Sequence, residues 1–137
     1  MSLISALMER PLKLSSASRY TVAGGVFYFG SGLLFLMWPG AVQTLFFDAA
    51  FLPREAELTR LIGMMLAIVG WLSIFGGRSG GQQFIAASVL DRIVLVPPVL
   101  VLLAMLGIMP HTLLTFAVVD PALAIGAWVL MNRTDSP

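Results

Sequence analysis

The stretch that decides the fold is residues 83–106, QFIAASVLDRIVLVPPVLVLLAML. It is long enough to cross about 30 Å of hydrocarbon as a helix, which takes roughly 20 apolar residues. It carries one acid and one base side by side, Asp91 and Arg92, and a Pro97-Pro98 pair. Three further runs have the same character: about 20–38, 56–75 and 111–131. The first closes on Trp38-Pro39-Gly40, an aromatic residue suited to a membrane interface followed by two helix breakers. The last contains Pro121. Proline is tolerated inside a membrane helix when neighbours satisfy the freed carbonyls, so kinks are expected in the third and fourth spans.

Composition agrees. Of 137 residues, 58% are hydrophobic and 11% charged, and the mean hydropathy is +0.94. A soluble domain has about 25% charged residues, so a soluble enzyme and a disordered regulator are excluded. The net charge of +1 leaves no electrostatic footprint for nucleic acid. The chain has no cysteine and one histidine, His111. That removes disulfides, thiolate metal sites and a bis-histidine haem, and the sequence calls for no metal and no cofactor. The expected fold is all-α, a single integral membrane domain built as an antiparallel four-helix bundle.

Two apolar segments are too short to span. Residues 2–8 read as an interfacial helix stopped by Pro11. Residues 42–52, VQTLFFDAAFL, read as a re-entrant or interfacial segment around Asp48. No small-residue cleavage site follows the basic N-terminal cluster, so the first span is expected to be an uncleaved anchor. The flanking bases are Arg10, Lys13, Arg19, Arg78 and Arg133 on one side against Arg54 and Arg60 on the other. The positive-inside rule then puts both termini in the cytoplasm. Seven arginines against one lysine point to a GC-rich bacterial genome, hence to a bacterial inner membrane.

Small residues indicate how the helices pack. Ala56, Gly63, Gly70 and Gly77 recur every seven residues, with Ala67 beside them, and Gly25 and Gly32 repeat that spacing in the first span. Ala117, Asp120, Ala124 and Ala127 share a face of the fourth. Such stripes allow close backbone approach, within the chain or in a homo-oligomer.

An ionisable group in mid-membrane costs about 2.5–3.5 kcal/mol or more. Five are candidates for a buried site: Glu57, Arg60, Asp91, Arg92 and Asp120. At about 1.5 Å per residue, Asp91, Arg92 and Asp120 fall near one middle depth. Arg60 shares the glycine face and is expected to point into protein, with Glu57 one turn away. Ser88 lies one turn before Asp91 and Arg92. The preferred pairing joins Arg92 to Asp120 and turns Asp91 toward Arg60; the swapped pairing is equally open. Three carboxylates and two guanidiniums leave a charge of −1, which a proton, a cation or a polar ligand would balance. The set is therefore either a structural network or a ligand or proton site.

Other features point to packing first. Tyr20, Tyr28, Trp38, Trp71 and Trp128 read as anchors or bundle packing, with a ligand cavity as the alternative. His111 reads as an interfacial residue, and residues 76–81, GGRSGG, as a flexible turn that lacks the lysine of a phosphate-binding loop.

Arg19 before a glycine-rich first span, Pro39 just after it, and the spaced Gly63 and Gly70 of the second resemble small bacterial four-helix membrane proteins of the DoxX-like kind. The resemblance covers about the first three spans. It implies a membrane accessory module, in some members tied to redox and quinone chemistry, and carries over no functional residue. Three functions stay open. The first is a non-enzymatic module in the lipid bilayer that binds a lipophilic small molecule or a membrane protein partner. The second is an intramembrane enzyme using Asp91 or Asp120 on a lipid or isoprenoid-like substrate. The third is a proton-linked transporter, which would have to be a homo-oligomer.

Overall fold

The computed structural model describes residues 2–9, 11 and 13–134. Arg10, one of the bases that set the expected orientation, lies outside them. Helix α1 (Leu3–Met8) is followed by α2 (Ser16–Met37), a single turn α3 (Ala41–Thr44) and α4 (Glu55–Arg78). The third long helix comprises α5 (Gln82–Leu90), a π-helical turn (Asp91–Leu95) and α6 (Val96–Met105); α7 (Pro110–Thr134) is the last described element. Four helices are long and apolar enough to cross a membrane: 16–37, 55–78, 82–105 and 110–133. Each begins within a few residues of the expected start. The second runs on through Gly76 and Gly77 to Arg78, so the expected glycine-rich turn is partly helix.

Local chemistry explains the ends. Ser15 caps α2 by accepting a hydrogen bond from the Ser18 N–H at 3.1 Å. Helix α2 stops at Trp38, before Pro39. The turn after α4 reverses at Gly80, whose φ of +72° suits a residue without Cβ.

The packing is organised by glycine. A Cβ on Gly70 would lie 2.2 Å from the Phe29 nitrogen and 2.7 Å from the Gly25 carbonyl oxygen. One on Gly32 would lie 2.3 Å from the Ala67 nitrogen and 2.6 Å from the Gly63 carbonyl oxygen. Gly77 meets Ser18 and Val22 at the end of the same seam. Residue numbers thus rise along α2 as they fall along α4, and the two backbones touch. The seven-residue stripe is used within the chain, between α2 and α4.

The remaining core lies in two parts. Ala17, Ile85, Val89, Ala124 and Ala127 form one; Tyr28, Phe35, Ala41, Val42 and Phe116 form the other. The alanine face of α7 is buried as its spacing requires. Away from these contacts the long helices present bare apolar side chains, among them Leu58, Leu61, Met65, Leu72, Val94, Leu102, Met105 and Val118. A water-facing surface does not carry so much contiguous apolar area, whereas hydrocarbon solvates it.

The segment expected to be re-entrant or interfacial, residues 42–52, packs in part on the bundle. Val42 is buried, and Phe46 and Phe51 pack against the second core. Asp48 folds back on α7. Its carboxylate accepts hydrogen bonds from the N–H of His111 at 2.8 Å, the N–H of Thr112 at 2.9 Å and the Thr112 hydroxyl. It thus caps the start of α7 from 63 residues away, where free N–H groups and the helix dipole both favour an anion. Phe47, beside it, takes a positive φ of 60° to make the turn.

Candidate functional site

Between the two core clusters lies a polar layer. Arg92 and Asp120 are each only 8% exposed, and Ser73 is buried with them. The expected Arg92–Asp120 ion pair is not formed among the described residues. Tyr28 stands between the two. Its hydroxyl donates to the Asp120 carboxylate, and the Arg92 guanidinium lies over its ring, 4.7 Å from the centroid. A guanidinium so placed is held by the ring quadrupole. Arg92 also donates to the Ser73 hydroxyl at 3.3 Å, and Gly24 leaves it room: a Cβ there would sit 3.9 Å from one guanidinium nitrogen.

Arg92 points inward because it continues the buried face of α5, with Val89 four residues after Ile85 and Arg92 three after Val89, and the π-helical turn begins at that point. Pro97 and Pro98 have no N–H, and the Pro97 ring would crowd the carbonyl four residues back in a regular helix. The turn ahead of them is widened instead, with the Val96 N–H bonding the Asp91 carbonyl five residues back. A π turn adds a residue and so shifts the phase of every side chain beyond it. Arg92 enters the core, and Asp91 sits at the exposed edge of the same turn.

A cavity of about 270 Å³ opens from this layer. Asp91, Arg92, Asp120 and Tyr28 form its polar part; Phe35, Ile62, Leu66, Val69, Val96, Leu100 and Phe116 supply most of the apolar wall. Its far end is bounded by Val42, Thr59, Met109 and Thr112, next to the Asp48 cap. Thr59 spends its hydroxyl on the Glu55 carbonyl of its own helix at 2.8 Å. The walls come from α2, α4, the third span and α7, and the exposed Ile62, Met65, Val69 and Asp91 on its rim leave the space open at the bundle surface.

Three of the six candidates therefore line one space: Asp91, Arg92 and Asp120. Glu57 and Arg60 are exposed, and Ser88 is half-buried on α5 and does not line the cavity. Two expectations are corrected here. Arg60 does not point into the glycine seam. Gly63 already faces Leu36, near the last residue of α2, so one turn earlier there is no helix left for Arg60 to pack against. Asp91 does not pair with Arg60, since no such ion pair occurs among the described residues.

Two residues carry more than the sequence reading gave them. Tyr28, expected to be packing or an anchor, joins Arg92 to Asp120. Asp48, read as a lone acid in an interfacial segment, caps α7. His111 stands next to it with 61% of its side chain exposed; its Nδ1 lies 3.5 Å from the Asp48 carboxylate and 3.0 Å from the Phe47 carbonyl oxygen. Trp38, Trp71 and Trp128 are exposed, as lipid-facing or interfacial aromatics would be. Among the described residues no group of three His, Cys, Asp or Glu side chains is placed to hold a metal.

Comparison with family models, curated proteins and solved structures finds no match to this chain.

Proposed function

We propose that this chain is a non-enzymatic module of a bacterial inner membrane, an antiparallel four-helix bundle with kinked third and fourth helices and both termini in the cytoplasm. In this reading it takes a lipophilic molecule into its interior and holds that molecule's polar group at Arg92, Tyr28 and Asp120. One observation carries the reading: three ionisable residues from two helices meet at one end of an otherwise apolar cavity. A purely structural network has no need of an adjoining space. Ligand sites typically combine an apolar wall with a few convergent polar groups. Arg92 can donate to a ligand oxygen, while the Tyr28 hydroxyl, whose one proton goes to Asp120, and the Asp120 carboxylate can accept from a ligand hydroxyl or amide. The likeness to DoxX-like proteins rests on Arg19, Pro39 and the spaced glycines, and is proposed at that level only, as kinship with membrane accessory modules.

The test is equilibrium binding of a dansyl-labelled fatty alcohol to the purified chain in detergent. Leu66→Trp, which fills the cavity, should abolish saturable binding, and Asp120→Asn should weaken it about tenfold, the loss of one good hydrogen bond to a charged group. Equal binding by all three proteins would rule the cavity out as the site.

A second reading treats Asp120 as an acid–base group acting on a lipid or isoprenoid-like substrate. It is favoured by the placement of Asp120 on the cavity wall with a tyrosine hydroxyl already on its carboxylate. Turnover of an added lipid that disappears in Asp120→Asn while binding persists would select it.

A further inference from the structure

At the opposite end of the molecule from the Asp48 cap, an open basin of about 640 Å³ is lined by Met8, Leu14, Arg19, Val22 and Arg78. The two arginines come from different helices, Arg19 from the first turn of α2 and Arg78 from the last residue of α4. The antiparallel glycine seam brings those ends together, with Gly77 against Ser18 and Val22. The linker after α1 crosses the neighbouring turn, with Pro11 3.3 Å from where a Gly80 Cβ would stand. Among the described residues neither arginine has a carboxylate partner. The Arg78 guanidinium lies over the Phe75 ring, 5.4 Å from its centroid. Among the described residues of the linker, Lys13 adds a third positive charge and Glu9 a negative one.

Next to this basin α1 is exposed on all sides. Leu3 is 91% exposed and Ile4 75%, and Leu7 and Met8 are exposed with them. A six-residue helix of sequence LISALM has no reason to hold such side chains in water. In the boundary between headgroups and acyl chains they are solvated, and the adjoining arginines then sit at phosphate level.

We propose that Arg19 and Arg78 form a binding site for the headgroup of an anionic phospholipid, with α1 lying beside it in the interface and Met8, Leu14 and Val22 contacting the upper acyl chain. The charge balance favours an anionic lipid over a zwitterionic one: two guanidiniums without a carboxylate partner among the described residues line the basin, and arginine's planar fork matches phosphate oxygens. The apolar floor favours a lipid over a free phosphate. The site is separate from the interior cavity and rests only on the chain spanning a membrane. Failure of the purified chain to insert into vesicles would refute that premise; insertion without lipid preference would refute the site.

The experiment is native mass spectrometry of the full chain in neutral detergent, titrated with phosphatidylglycerol or with phosphatidylcholine of the same acyl chains. Phosphatidylglycerol should be retained preferentially. Each basic residue near an anionic membrane surface contributes about fivefold in affinity. Arg19→Gln and Arg78→Gln should each lower phosphatidylglycerol retention by about that factor, and the double variant by roughly 25-fold, with phosphatidylcholine retention unchanged. Arg19→Lys with Arg78→Lys should keep most of the preference; if the double Gln variant does not fold, the single variants decide. Equal retention of the two lipids, or an undiminished preference in the Gln variants, would overturn the proposal. So would full competition by glycerol phosphate, which would mark a free-anion site.

Discussion

Tyr28 and Asp120, 92 residues apart, are joined by a hydrogen bond from the phenol to the carboxylate in the middle of the bundle. The same ring carries the Arg92 guanidinium on its face. One tyrosine thus links the buried base to the buried acid without a direct ion pair.

If that link is structural as well as functional, Tyr28→Phe should destabilise the chain by about 1–3 kcal/mol, the cost of leaving a buried polar group without its partner. Tyr28→Phe combined with Asp120→Asn should cost less than the sum of the two single changes, because the partners are removed together. Reversible unfolding in mixed micelles measures both. Strict additivity would mean that the two residues do not interact.

The glycine seam makes a sharper geometric prediction. Gly70→Ala and Gly32→Ala each place a methyl group against backbone atoms within 2.3 Å, so each should force α2 and α4 apart at a cost of about 1–3 kcal/mol. Gly30→Ala is the internal control, since a Cβ there meets nothing within 4 Å. It should be neutral or stabilising by up to about 1 kcal/mol, the helix penalty of glycine relative to alanine. Thermal unfolding midpoints of the three variants distinguish a packed seam from an incidental stripe.

The cap on α7 is testable by the same route. Asp48→Ala removes the acceptor for two backbone N–H groups and should cost about 0.5–2 kcal/mol. Thr112→Ala removes one of the three donors to that carboxylate and leaves the backbone cap intact, so it should cost less. Amide exchange at His111 and Thr112 should accelerate in Asp48→Ala ahead of the rest of the helix.

Much of the fold is legible in the sequence because membrane helices are specified locally. A run of apolar residues sets each span, and glycines every seven residues mark the seam that α2 and α4 share. The alanine face carrying Asp120 is likewise buried as its spacing implies. Depth is legible too: Asp91, Arg92 and Asp120 do line one space. Rotation and non-local contact are not. The wide turn before Pro97 shifts the phase of α6 relative to α5, and Ser88 misses the site because it lies off the buried Ile85, Val89 and Arg92 face. Arg60 sits only about 60° around the helix from Gly63, yet it is exposed, because α2 ends opposite that turn. The role of Asp48 depends on a helix start 63 residues later, and nothing in residues 42–52 announces it.

The cavity beside Arg92, Tyr28 and Asp120 is proposed to receive a lipophilic molecule. The most direct test is to extract the purified chain with organic solvent and identify what is released by mass spectrometry, comparing the unaltered protein with Leu66→Trp. A defined lipophilic compound bearing an oxygen or nitrogen group should be released, near one per chain from the unaltered protein and absent from the filled variant. The same bulk lipid in equal amounts from both proteins would contradict the proposal.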